Sequence, residues 1–238
     1  MTGIGLARPG QSWSSAVTSH FPSGRPLFSL LEDTFVSAEG HRLTVHGRWG
    51  DIEVSDDSPL VREALNRMSL GPVSLENIPV LFAEFNRWRE EGYCGPEWPR
   101  LRLTLDELGG CVVPSLGLHD GAGPILSLMA VASDAVFRWP GIDDHDLIEV
   151  SPRARIEDVD GDQALVGAGP PYIVVLHRTP APGIAKQLLD GKTTVAEVAE
   201  RLQVDRGIVA DVVAYLASAG FILTDDSGKT DRTPCGHR

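Results

Sequence analysis

The sequence is short of positive charge, of cysteine and of long apolar runs, and each shortage excludes a class of function. Lysine plus arginine number 21 against 33 for aspartate plus glutamate, and the resulting formal charge of −12 repels phosphate backbones and anionic lipid head groups. The three cysteines, Cys94, Cys111 and Cys235, share no metal-ligand spacing and leave one over in any disulfide scheme. A reducing, cytoplasmic setting is expected from this usage. The longest mainly apolar stretch, residues 125–131, falls far below the roughly 20 residues of a membrane helix. The first 24 residues lack the basic start and continuous apolar run of a signal peptide. Nucleic acid and membrane are therefore not expected as partners.

What is present suits a packed protein. Hydrophobic residues at 42% and charged residues at 23% match ordinary globular chains, and 238 residues suffice for one large domain or two smaller ones. Residues 1–24 and 226–238 are polar or rich in Ser, Gly and Pro without periodicity, and read as flexible tails. Between them, residues 42–46 and 49–54 alternate around a Gly47-Arg48 turn, the pattern of a hairpin. Ser58-Pro59 then opens a helix carrying Leu60, Val61, Ala64, Leu65 and Met68. A short turn at 74–78 and a helix over 80–91 follow, with Gly92 as its C-terminal cap. Two strands are expected at 101–105 and 111–114, around Gly109-Gly110.

The glycines and proline of 117–124 mark the best candidate boundary. Beyond it, strands are expected at 135–139, 147–150, 154–158 and 172–177, and helices at 182–189, 195–202 and 205–219, with a final strand at 221–224. Thr194 and Glu197 form a capping box, and Asp205 caps the last helix. The expected fold is α+β: two tandem winged-helix-like modules, 25–118 and 125–225, with small antiparallel sheets.

Residues 193–219 have the spacing of a helix-turn-helix, but the second helix offers Arg206 against Asp205 and Asp211. Across 180–226 there are four basic residues and seven acidic ones, which leaves a DNA-binding regulator as a poorly supported alternative. The same helix is apolar over more than the about 100° that one-sided packing needs, with Val209, Val213 and Leu216 in one row and Ile208, Val212 and Tyr215 beside it. Two readings stay open. All six are core, or Ile208, Val212 and Tyr215 line a groove with Tyr172 and Val174 of the neighbouring strand, where a peptide adds as a further strand. In the first half, Phe82 and Phe85 face Ile52 and Val54 of the hairpin and invite the same pair of readings. Arg89 on that helix is solvated surface or a contact for an acidic peptide.

Catalytic signals are thin. His41 and His46 lie across a hairpin without a third ligand, and Asp143-Asp144-His145-Asp146 lacks the Gly and terminal Glu of a calcium loop. Gly167-Ala168-Gly169 precedes two prolines and a strand, whereas a phosphate loop opens a helix. No catalytic residue, metal site or resident cofactor is expected.

Residues 41–76, HRLTVHGRWGDIEVSDDSPLVREALNRMSLGPVSLE, resemble the start of the SagB-type azoline dehydrogenases: strand, Trp-Gly, strand, a Ser-Pro-capped helix, then Gly-Pro-Val-Ser. Residues 101–117, LRLTLDELGGCVVPSLG, are similar to the close of that family's first module, and 147–155, LIEVSPRAR, with 193–223 to its second. The resemblance implies a recognition region that holds the leader of a ribosomally made precursor peptide. It also implies a nitroreductase-like, FMN-dependent flavoprotein that oxidises azolines to azoles. That flavin domain is expected on a separate partner, with no flavin in this chain; half of a split azoline oxidase is the alternative.

Overall fold

The computed structural model describes residues 22–92, 95–159 and 161–223. Apart from residues 22–24, the expected tails, like Thr224 at the end of the last expected strand, lie outside the described residues. The fold is α+β, with six α-helices and two antiparallel sheets among the described residues, and is compatible with winged-helix-like modules.

The smaller sheet is a meander of β2 (Phe35–Glu39), β3 (Arg42–Gly47) and β4 (Gly50–Glu53). Its alternation is the one read from the sequence: Leu43 and Val45 are buried, while Thr44 between them and His46 after them stay half-exposed. Helix α1 (Pro59–Met68) begins where Ser58 accepts the Val61 amide, with Pro59 at its first position, and buries Leu60, Val61, Ala64, Leu65 and Met68. A 3-10 turn (Leu75–Asn77) leads to α2 (Pro79–Glu91), which Gly92 ends in the left-handed conformation at φ 68°.

The expected strand at 101–105 is instead the middle of α3 (Glu97–Leu108). The alternating Leu101, Leu103 and Leu105 suggested a strand, but Leu101, Leu105 and Leu108 also sit at helical spacing and are the buried ones. Leu103 is 63% exposed. A long-range contact fixes this choice. Glu84, buried on α2, accepts the amides of Glu97 at 3.0 Å and Trp98 at 2.9 Å, and so caps α3 from another helix.

The larger sheet joins both halves of the chain. Its order is β1 (Arg25–Leu30), β5 (Val112–Gly117), β6 (Pro124–Ala130), β9 (Tyr172–Leu176), β8 (Asp162–Val166) and β7 (Arg155–Val159), all antiparallel. The Gly- and Pro-rich stretch after β5 is thus a hairpin connection, held by Arg178, which grips the Asp120 carboxylate with two 2.9 Å bonds and the Gly123 carbonyl with a third. The guanidinium holds the Asp120 carboxyl below its usual range.

Helices α4 (Ala181–Leu189), α5 (Val195–Leu202) and α6 (Arg206–Ser218) complete the second half. The capping box at Thr194 and the Asp205 cap are both formed. Three further expected strands are corrected. Residues 135–139 form no strand, and 147–150 and 221–223 make only single bridges, Ile148 with Thr193 and Val150 with Ile222. In the first of these segments the backbone bonds to side chains instead of a ladder: Arg102 of α3 donates to the Phe137 carbonyl, and the Arg138 amide donates to the Ser218 hydroxyl of α6.

Two apolar cores lie against the fold. One gathers around α1, α2 and α3, the other around α4, α5 and α6, and Phe137 packs against both. Among the described residues no helix is long and apolar enough to cross a membrane.

Candidate functional site

The two cores do not close completely where they meet. A cleft with about 890 Å³ of empty space, part of it open to solvent, runs along the seam, and seven of its eighteen lining residues are aromatic. Its floor is the sheet, through Pro26 and Phe28 of β1 and Val112 and Pro114 of β5. Period-two alternation turns these residues to one face. One wall is Phe85 and Trp88 of α2 with Trp98 and Leu105 of α3; the other is Phe137, Trp139 and Tyr172 from the second half.

Each wall is an aromatic cluster of its own. Trp98 lies 5.4 Å from Phe85 and 6.3 Å from Phe28, ring centre to ring centre. Phe137 and Trp139 meet edge to face at 5.9 Å, and both rest on Tyr215, at 4.8 and 5.1 Å. Such contacts contribute about 0.5–1.5 kcal/mol per pair beyond burial, so the walls are stiff. Glu84 sets the position of Trp98 by holding its backbone amide.

The charged groups beside the cleft are paired. Asp106 accepts from Arg138 at 2.6 Å and lies 3.7 Å from Arg102, whose guanidinium also donates to the Phe137 carbonyl at 3.2 Å. Glu76 accepts from Arg89 at 2.7 Å. Ser74, also in the lining, is buried, and its hydroxyl finds no partner among the described residues. Burial raises the Tyr172 phenol above its ordinary range, so it stays protonated.

The residues singled out in the sequence divide between the two cores. Phe85 and Tyr172 line the cleft, one on each side. Arg89 borders it through Glu76, which lines it. Val174, Val212 and Tyr215 are fully buried in the second core, and Ile208 is half-buried against it. Helix α6 buries eight consecutive residues, 209–216, so both its sides are packed. Val54 is buried and Ile52 half-buried in the first core, while Phe82 is 53% exposed on the outer side of α2. Trp98, Phe137 and Trp139 were not singled out. Their signal in the sequence is slight: Trp98 and Trp139 each precede a proline, Pro99 and Pro140, and no local pattern brings them and Phe137 together.

No protein-family model and no curated protein matches the chain. Among the described residues no group of three or more His, Cys, Asp or Glu side chains could hold a metal ion.

Proposed function

We propose that the chain is a peptide-binding protein that seats apolar or aromatic side chains of its ligand in the cleft between the two cores. The observation that carries this reading is the cleft's lining: seven aromatic residues drawn from both halves, with the neighbouring charges engaged in pairs. A lining of this kind favours an apolar anchor over an ionic one, because an ion would have to give up water without gaining a free counter-charge. Rings fixed on two sides also bind with little loss of side-chain entropy.

The resemblance to the recognition region of SagB-type dehydrogenases makes the leader of a ribosomally made precursor the first peptide to test. In this reading the chain performs no chemistry on the peptide. It raises the peptide's effective concentration at a nitroreductase-like, FMN-dependent partner, which carries out azoline oxidation.

The test is fluorescence polarisation with labelled leader peptides from precursor genes neighbouring the one for this chain. Saturable binding with a Kd of about 10 μM or tighter is expected. Absence of binding by every such leader at about ten times that concentration contradicts the reading.

A further inference from the structure

Three side chains on the outer face of the small sheet form a hydrogen-bonded chain that peptide binding does not use. The register sets Phe35 opposite His46, Ser37 opposite Thr44, and His46 opposite Asp51. Val36, Leu43, Val45 and Ile52 turn to the core, so Ser37, His46 and Asp51 share the opposite face. Ser37 Oγ lies 2.8 Å from His46 Nε2, and His46 Nδ1 lies 2.7 Å from Asp51 Oδ1.

The partners decide the tautomer. A carboxylate can only accept, so in the neutral ring Nδ1 carries the proton and Nε2 accepts from the Ser37 hydroxyl. Hydroxyl, imidazole and carboxylate in that order form an activated nucleophile: the carboxylate fixes the ring and the ring takes the hydroxyl proton. Phe35 stacks on the imidazole at 4.6 Å with 18° between planes and is itself 62% exposed. It shields one side of the base and offers an apolar platform on the same face as Ser37.

The strand edge supplies a donor for a developing oxyanion. The Val54 amide donates to the Leu43 carbonyl, which makes that pair a bonded rung of the β3–β4 ladder. By alternation Thr44 and His46 turn their amides to β2, and Phe35, Ser37 and Glu39 turn theirs to β3. The amides of Val36 and Ala38 are then left at the outer edge of β2, along which no described strand runs. Ala38 directly follows Ser37, the position from which a backbone N–H can reach the oxygen of an attacked carbonyl.

We propose that Ser37 is a nucleophile that accepts the acyl group of small esters bearing an aromatic or apolar part. Ser37 Oγ attacks the carbonyl carbon while its proton passes to His46 Nε2. The ester C–O bond then breaks, and His46 returns that proton to the departing alkoxide as an alcohol. Water, deprotonated by His46, cleaves the acyl-serine to a carboxylic acid and restores the hydroxyl. With Asp51 70% exposed as a side chain, its carboxylate orients the ring more than it polarises it, and turnover is slow.

The test treats the full chain with an alkyl fluorophosphonate, in which serine displaces fluoride from phosphorus, and maps the adduct by mass spectrometry. Hydrolysis of p-nitrophenyl acetate is followed in parallel. A single adduct on Ser37 is expected. Labelling is lost in Ser37→Ala and slowed by about tenfold or more in His46→Gln and by about threefold or more in Asp51→Asn. All three positions face solvent, and circular dichroism checks that each variant is folded. No adduct on Ser37, or unchanged labelling in folded His46→Gln, overturns the proposal and leaves the three residues as a structural cross-strand network.

Discussion

The hydroxyl of Tyr215 donates a 2.7 Å hydrogen bond to the carbonyl oxygen of Ser115, and both residues are fully buried. The bond ties α6, the centre of one core, to β5, the strand that leads from the first half of the chain into the second. It also fixes the ring on which Phe137 and Trp139 rest, and so one wall of the cleft. Burial keeps the phenol protonated and able to donate. Tyr215→Phe keeps the ring and loses the donor. A loss of about 1–2 kcal/mol is expected from urea unfolding, with an unchanged m-value.

Gly110 passes against the backbone of the second half. A Cβ there would lie 2.5 Å from the Ala132 carbonyl oxygen and 2.9 Å from Trp49 Nε1, and the Gly110 amide donates to the Ser133 carbonyl at 3.1 Å. Neither neighbour is a flexible side-chain end. Gly110→Ala is expected to cost about 1–3 kcal/mol and to lower the midpoint of thermal unfolding.

Glu84 connects capping to the cleft. Glu84→Ala leaves the Glu97 and Trp98 amides without their acceptor, at a cost of about 2 kcal/mol, and loosens Trp98. Each oxygen of Glu84 accepts one amide, so Glu84→Gln keeps one acceptor and sets an NH2 group against the other N–H, and it is expected to recover only part of that loss. Thermal unfolding and the tryptophan emission maximum read the two effects, and equal losses for both variants would count against the capping role.

These features differ in how far they could be read from residues alone. The Ser58, Thr194 and Asp205 caps were legible because cap and capped amide lie within three residues of each other. The burial pattern of α1 was legible for the same reason, since helical spacing is local. Residues 101–105 were not, because their alternation fits a strand and their wider spacing a helix. The decision rests on Glu84, thirteen residues before the amide of Glu97 that it caps. Phe85 and Tyr172 were recognised as candidates without their meeting place, which depends on a sheet order that no periodicity encodes. The Ser37, His46 and Asp51 chain was hidden differently: the β3–β4 turn was visible, but β2 was not, and without it His46 had no serine opposite.

Asp211 gives the fold a pH dependence. Burial raises its carboxyl from 3.8 to about 7, against the opposing pull of the backbone amides of Gly24 and Ser23, the first of which lies 2.6 Å away. Between these values the folded chain holds a proton that the unfolded chain has released. Stability from this group is therefore fully present below about pH 4, falls as pH rises towards 7, and is flat above. Asp211→Asn removes the change. The variant is expected to exceed the native chain by on the order of 2 kcal/mol at pH 8 and to match it near pH 4, as read by urea unfolding at the two pH values. A difference that is the same at both pH values would contradict this origin.

The most direct measurement for peptide recognition in the cleft is a titration of one labelled, saturably binding leader peptide against three proteins. These are the native chain, Trp98→Ala in the cleft wall, and Phe82→Ala on the exposed side of α2. The cleft account predicts that Trp98→Ala weakens binding by about tenfold or more while Phe82→Ala changes it by less than about twofold. Saturable binding that survives Trp98→Ala unchanged, or that is lost in Phe82→Ala, would contradict it.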